Sequence, residues 1–543
     1  MKNIYLYFVL AVTSIVSAQS TESASIKLAS QINLHTNATA FIAGETLYYK
    51  MQIPSQKGKP EDKIGYVVLV GQDKSVVFTH KHFLLNGSAH GDFFIPASIK
   101  TGSYKIIAYT KSNANSLSET SATDIIIINP FQTSKVNSDA KELSISAADK
   151  TTSDRYNLMQ KQNYKTRELV QINSKSLPVG TYSASVRKVD DVDFATAEAN
   201  QKFVVNQSPI GTITLAPEIR GEIISGKVNT NNLPAAKLNL ALSIPGENAV
   251  FKIAKTDNEG KFTFTVEQIN PTAQIYIQVM GKDQQDYTVT VDKSPVPNLS
   301  TLNFKTFRVN EKLEKDLRER MVAVQVRNSY LGKKADTIVP PVLATMFYEP
   351  IAKDYVLDKF TRFPTFAQNI VELMPEIYYL KKDNKFTVHV RDNNIGRTIP
   401  EPSLLLVDGI LLEDATELFS FPMKNVEKIS VVTGIYLYGP TAFNGIISLT
   451  TKDRNYQPKQ LKAVSSDIIR PFPEKKYYRQ QHNDTTDRLP DFRQQLLWQP
   501  EMKKNETISF YTSDLSGTYK VDISGLTETG EAFTAVQYFE VLE

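Results

Sequence analysis

The side chains best equipped for chemistry in this chain are few, and histidine is scarcest among them. Six occur in 543 residues: His35, His80, His82, His90, His389 and His482. Period-two alternation puts His80 and His82 on one face of a strand. His90 is expected across a hairpin turned at Asn86-Gly87. Three imidazoles there could hold zinc. No acidic partner or fourth ligand is evident, so they read as exposed hairpin histidines that bind no metal. His389 alternates with apolar residues and reads as a packed strand residue. The sequence holds no His-Glu-x-x-His, nucleophile elbow or P-loop pattern. It also holds no cysteine, which excludes thiol catalysis, iron–sulfur clusters and cysteine–zinc sites. Asp257 to Gly260 and Asp408-Gly409 set acids beside glycine, but both read as turns, and the ligand pattern of an EF-hand is missing. The expectation is a protein that is not an enzyme and uses no cofactor or metal.

The elements that must position these residues are mostly strands. Tyr and Phe number 25 and 27 against a single Trp, and with abundant Thr, Val and Ile they favour sheets. Net charge is +4 with acids and bases interspersed, unlike the concentrated basic patch of a nucleic-acid binder. The length exceeds one core, and domains of roughly 100 residues would give about five. Gly102-Ser-Tyr104, Gly180-Thr-Tyr182 and Gly517-Thr-Tyr519 each open a stretch of period-two alternation. The glycine is expected to supply a turn. The tyrosine is expected to lead a half-buried strand and send its hydroxyl to nearby backbone, as in a tyrosine corner.

Met1-Lys-Asn, the apolar run Ile4 to Val16 and the closing Val16-Ser-Ala18 form an export signal over 1–18. The mature chain is then expected to begin at Gln19, with no lipid-carrying cysteine and no later window apolar enough to cross a bilayer as a helix. A helix is expected from Asn310, with Glu311, Glu314 and Asp316 early and Arg318 and Arg320 following, as the dipole favours. Leu313, Leu317, Met321 and Val324 form its packing stripe. A second short helix is expected at Thr365 to Leu373.

Several stretches carry family resemblances. Phe41 to Met51, His90-Gly-Asp-Phe-Phe-Ile-Pro96 and Gly102 to Thr110 resemble an MG2-type domain of the α2-macroglobulin family, over 24–130. Arg167 to Ile172 and Leu177-Pro-Val-Gly180 are similar to a second such domain, over 135–208. The thioester of that family needs Cys-Gly-Glu-Gln, so covalent trapping does not carry over. Gly221 to Val228, Asn239 to Ile244 and Thr256 to Phe264 resemble a carboxypeptidase-regulatory-like sandwich, over 211–296. A helical and extended connector, 305–385, includes Thr361-Arg-Phe-Pro-Thr365, a stretch similar to bacterial proteins that combine macroglobulin-like and plug-like parts.

The most informative resemblance covers 386–455. Ser403 to Ile410, Val426 to Gly434, Tyr438 to Gly445 and Asn444 to Lys452 resemble the plug domain of TonB-dependent outer-membrane transporters. Leu404 to Val407 reads as a strand covered on both faces, and Asn444-Gly445 as a hairpin turn. A plugged barrel has about 22 strands of roughly 9–11 residues each, whereas 91 residues follow Lys452. A plug-like module without its barrel is therefore expected. An extended linker, 456–490, and a C-terminal β segment, 491–543, close the chain. The latter is too small to be independent and is a candidate to complete an earlier sandwich. The fold class expected is mainly β and multidomain, with tandem β-sandwiches and a small α+β plug-like domain.

The resemblances imply a non-catalytic accessory or scaffold subunit of an outer-membrane complex. It would be exported, bind an outer-membrane β-barrel protein, and be peripheral to the membrane through protein contacts. The alternative is a thioester-less macroglobulin-like binder of proteases or exported proteins. An uncovered plug-like sheet would aggregate, so its strands should be covered within the chain. That leaves the loop Gly434 to Pro440, with Tyr436, Leu437 and Tyr438, as the expected partner-binding surface. Replacing both tyrosines by alanine is then expected to leave unfolding nearly unchanged.

Overall fold

The computed structural model describes residues 32–54, 61–114, 120–132, 156–193, 216–230, 233–281, 286–304, 313–330, 336–392, 397–398, 401–459, 468–481 and 489–543. The export signal assigned to 1–18, Asn310, Glu311 and His482 lie outside them. The described residues are mainly β and form three sandwiches and one α+β unit.

In the first sandwich a three-stranded sheet (Asn33–Thr36, Thr46–Gln52, Ser88–Phe94) faces a five-stranded one. The second sheet runs Ala40–Ile42, Ser121–Ile128, Gly102–Thr110, Ile64–Gly71, Val76–Phe83. Phe41, Leu47, Tyr49, Val67, Leu69, Ile106, Ile125 and Ile127 fill the space between. Ile126 and Ile128 point the other way, against the helix Glu314–Tyr330. That helix supplies Leu317, Met321 and Val324, and Leu313 just before it completes the stripe legible in sequence. The unbroken isoleucine run thus reflects a strand covered on both faces.

The second sandwich is assembled from segments more than 300 residues apart in the chain. Gly180–Lys188 lies between Gln495–Lys503 and Gly517–Thr527. Leu169–Asn173 pairs with Thr507–Tyr511 in the facing sheet. The stretches separated in sequence as 135–208 and 491–543 therefore share one core, including Tyr182, Val186, Met502, Phe510, Val521 and Phe539. Everything between them is an insertion into this sandwich.

All three Gly-(Ser/Thr)-Tyr phrases give the same device. Tyr104, Tyr182 and Tyr519 donate their hydroxyls to the carbonyls of Lys100, Pro178 and Leu515, at 2.6, 3.0 and 2.8 Å. Each acceptor lies four residues upstream, which pins the strand entry to the loop before it. The glycines differ from expectation. Only Gly517 has a positive φ, 122°. At Gly180 the constraint is space, since a Cβ would meet the Leu526 carbonyl oxygen at 2.4 Å.

The third sandwich pairs two three-stranded sheets, Lys261–Val266, Glu222–Thr230, Tyr287–Val291 and Val250–Lys255, Asn239–Ile244, Tyr276–Val279. The α+β unit follows. Its main sheet runs Lys353–Val356, Val426–Tyr438, Thr441–Thr451, Leu404–Val407, Ile410–Leu411, and Leu404–Val407 is parallel to Ile446–Leu449. Phe366–Leu373 is a short helix whose Thr365 and Gln368 form a reciprocal capping box.

A strap over 468–481 ties these parts together. Arg470 reaches Glu222 of the third sandwich at 2.6 Å, and Glu222 also takes Lys81 of the first at 2.9 Å. Lys475 bonds Asp92 at 2.8 Å, and Lys475–Lys476 pairs with Thr337–Ile338. The expected linker is, over these residues, a tie between sandwiches.

Candidate docking surface

The histidines are not where the hairpin reading put them. Val76–Phe83 and Ser88–Phe94 belong to different sheets, so the turn at Asn86-Gly87 crosses the sandwich edge. His80 Nδ1 and His82 Nε2 both approach the Tyr49 hydroxyl, at 2.6 and 2.8 Å. His90, on the facing sheet, bonds instead to the Lys475 carbonyl at 3.1 Å. His82 and His90 are buried, and Phe472 of the strap stacks on His80 with centroids 4.2 Å apart. Their expected exposure is corrected: a segment almost 400 residues downstream covers them. Burial drives His80 down to about 4, reinforced by Lys475. His389 is a packed strand residue, stacked on Tyr378 and held by Thr387 and the Glu401 carbonyl.

A Ser-His-Asp set that sequence patterns did not flag lies at the joint of the first two sandwiches. His35 Nδ1 is 2.7 Å from Ser183 Oγ, and Nε2 is 3.7 Å from Asp522. The ring nitrogens are used in the reverse of the hydrolytic order. Ser183 is fully buried and sits 3.2 Å from the Ser524 carbonyl, so no substrate reaches it. Burial lowers His35 to about 4. The set is joint packing, beside Trp498 stacked on Tyr48. Asp257 accepts the amides of Glu259 and Lys261 within its turn, as expected. Asp408 does more than turn the chain: it accepts Thr451 N, Thr451 Oγ1 and Tyr456 N at 2.7, 2.5 and 3.1 Å, tying two strand ends.

The α+β unit hides both faces of its main sheet. Leu405, Val407, Ile429, Val431, Ile447 and Leu449 pack beneath the helix Phe366–Leu373. Leu404, Leu406, Val432, Phe443 and Ile446 pack on Ala241 and Phe251 of the third sandwich. Cover within the chain explains why these strands are apolar throughout. The sheet then extends as a two-stranded hairpin, Ile435 opposite Asn444 through Tyr438 opposite Thr441. Its turn lies at Gly439-Pro440. Asn444-Gly445, expected to be that turn, is inside the strand, where Gly445 adopts φ 78° opposite a break in register. Turn-forming residues suit a bulge for the same conformational reason.

Alternation splits the three expected docking residues. Tyr436 and Tyr438 face inward, donating to the Phe347 and Phe251 carbonyls at 2.8 and 2.7 Å. Tyr438 also stacks on Phe347 with centroids 3.9 Å apart. Leu437 is 78% exposed and Ile435 62% exposed on the opposite face. The tyrosines are therefore glue between the α+β unit and the third sandwich, and the expectation that alanine there leaves unfolding unchanged is corrected. Tyr438→Phe should cost about 1 kcal/mol, one part-buried hydrogen bond. Tyr436→Ala with Tyr438→Ala should cost several times more, read as a lower midpoint in urea unfolding.

No protein-family model matches this chain, and no curated protein does. Among solved structures it is similar to Salmonella α2-macroglobulin reacted with methylamine, at 10% identity over 94% of this chain and 23% of that one, TM-score 0.17. It is also similar to native E. coli α2-macroglobulin, at 9% identity over 95% and 22%, TM-score 0.17. A tetra-tandem repeat from the extending region of a large adhesion protein matches at 9% identity over 95% and 100%, TM-score 0.14. The chain spans about a quarter of the length of the macroglobulins. At such TM-scores these likenesses carry no argument; the architecture rests on the sheets themselves.

Proposed function

We propose that this protein is an exported, non-catalytic scaffold subunit of an outer-membrane complex, and that it holds a β-barrel partner with the outer face of its plug-like hairpin. The observation that carries the reading is the hairpin: its inner face is glued to the third sandwich, and its outer face presents Ile435 and Leu437 to solvent. Exposed large aliphatic residues on a rigid ribbon are a ready contact surface. The plug-like identity of 386–455 and the carboxypeptidase-regulatory-like identity of 211–296 rest on sequence resemblance. The partner class follows from the first of these. Strap, helix and joints fix the sandwiches around this unit, as a scaffold requires.

The second reading, a thioester-less binder of proteases or exported proteins, draws on the tandem sandwiches with shared tyrosine corners. One experiment separates the two. Ile435→Asp with Leu437→Asp should change folding stability by no more than about 0.5 kcal/mol, because both side chains are solvent-facing. In mild detergent extracts of outer membranes, the tagged wild-type protein should retain a barrel protein that the variant loses. Equal recovery of the barrel protein by both forms would refute the hairpin assignment. Recovery of a soluble protease or exported protein, with no barrel protein, would support the second reading.

A further inference from the structure

The strap is held over the first sandwich by groups that acid would disable together. His80 and His82 flank Lys81 on one strand, and both imidazoles converge on the single hydroxyl of Tyr49. That hydroxyl has one hydrogen, so it donates to one ring and accepts from the N–H of the other. This arrangement needs at least one ring nitrogen to be a bare acceptor. Once both rings are protonated neither offers a bare nitrogen, and the Tyr49 hydroxyl hydrogen loses its acceptor in a buried site. Phe472 closes the site, stacked 4.2 Å from His80 and tilted 5.5 Å from His82. Its amide bonds to the Lys81 carbonyl at 2.5 Å. The same strap residues include Arg470 and Lys475, which bond Glu222 and Asp92.

The charges around the site give a new cation little relief. Lys81 and Arg470 already share Glu222, and Asp92 is engaged by Lys475. Glu501 is engaged by Lys50, and Glu474 lies beside His90 rather than the pair. Lys475 therefore stands beside His80 with its carboxylate taken, and the other group facing His82 is the imidazole of His90. We propose that the strap over 468–478 is an acid-released latch, which lets go of the first sandwich when His80 and His82 take up protons, and so loosens the joint between the first and third sandwiches.

The direction follows from linkage. Both rings are harder to protonate when the strap is closed, His80 falling to about 4 from an ordinary 6.5 through burial and then Lys475, and His82 falling well below its ordinary value through burial, His80 and His90. The open form binds more protons, so the closed form is favoured most above pH 6.5 and loses ground as pH falls toward 4.

The chain contains no cysteine, so paired spin labels can be placed at will. Labels at Glu474→Cys and Gln72→Cys report strap against sandwich. Labels at Gln72→Cys and Lys100→Cys report the sandwich alone. In the full-length protein the first pair should give one narrow distance at neutral pH and a broad distribution near pH 4, while the second stays narrow. His80→Gln with His82→Gln, which keeps polar contacts but cannot titrate, should keep the first pair narrow at both. A wild-type strap that stays narrow in acid overturns the proposal, as does broadening of both pairs, which would be unfolding. Acid broadening retained in the double variant overturns it as well. Should that variant be open at neutral pH, the single His80→Gln and His82→Gln variants decide: an acid midpoint unmoved in both overturns the latch, and one displaced to lower pH supports it.

Discussion

A chain ending at Pro490 is expected to lose its second sandwich entirely while keeping the third sandwich folded. The cut removes both neighbours of Gly180–Lys188 and the partner of Leu169–Asn173. It also removes Met502, Ile508, Phe510, Tyr519, Val521, Ile523, Phe539 and Val541 from the core. Each such side chain stabilises by about 1.5–3 kcal/mol when buried, against a total domain stability of about 5–15 kcal/mol. What remains is three strands, Asn163–Lys165, Leu169–Asn173 and Gly180–Lys188, none of them paired with another, which cannot hold tertiary structure. Hydrogen exchange should show residues 164–188 unprotected and residues 239–279 protected. Protection of 164–188 in the truncated chain would mean that the N-terminal half folds without its partner. The same topology makes this sandwich the last to close during synthesis, since its pairings span more than 300 residues.

What could be read from the sequence was local. The tyrosine corners, the isoleucine run, the stripe Leu313, Leu317, Met321, Val324 and the short helix from Thr365 are all encoded within a few residues by periodicity and side-chain chemistry. What could not be read was set by distant partners. Alternation separates Tyr436 and Tyr438 from Ile435 and Leu437, but which pair faces water depends on where the third sandwich lies. His80 and His82 share a strand face in sequence, yet their burial comes from Phe472. Asn444-Gly445 signals a tight backbone without saying whether it is a turn or a bulge. Ser183, His35 and Asp522 meet only because two sandwiches dock, and no spacing rule could have joined them. The acidic pair Asp190 and Asp193 gave no signal at all, although it anchors the helix.

That anchor carries the other large effect. Arg320→Leu should release the helix Glu314–Tyr330 from the first sandwich. Arg320 is 1% exposed, and its Nε and Nη2 reach the two oxygens of Asp190 at 2.6 and 2.7 Å. It also bonds Asp193 and lies 4.0 Å from Glu45, whose other oxygen takes Arg187 at 2.9 Å. Leucine fills much of the volume but leaves the two mostly buried aspartates without their arginine, with more distant cations such as Arg187 and, for Asp193, Lys520 as counter-charges. Breaking a buried pair in this way typically costs about 3–5 kcal/mol. Exchange of the helix amides should then accelerate by roughly a hundredfold or more. The deficit should shrink in acid. Burial already pushes Asp193 up to about 6 with the arginine present; Asp190, held down by the arginine against its own burial, should rise as well once that arginine is gone. Groups raised in the folded state cost stability as pH rises past the unfolded value of 3.8 and cost nothing once protonated. Wild type and variant should therefore differ most at neutral pH and converge toward pH 4. Adding Asp190→Asn and Asp193→Asn to Arg320→Leu should recover part of the loss at neutral pH, since the stranded charges are gone. An Arg320→Leu protein whose helix exchanges as slowly as wild type would show that the apolar stripe alone holds the helix, and that the ion cluster adds nothing to docking.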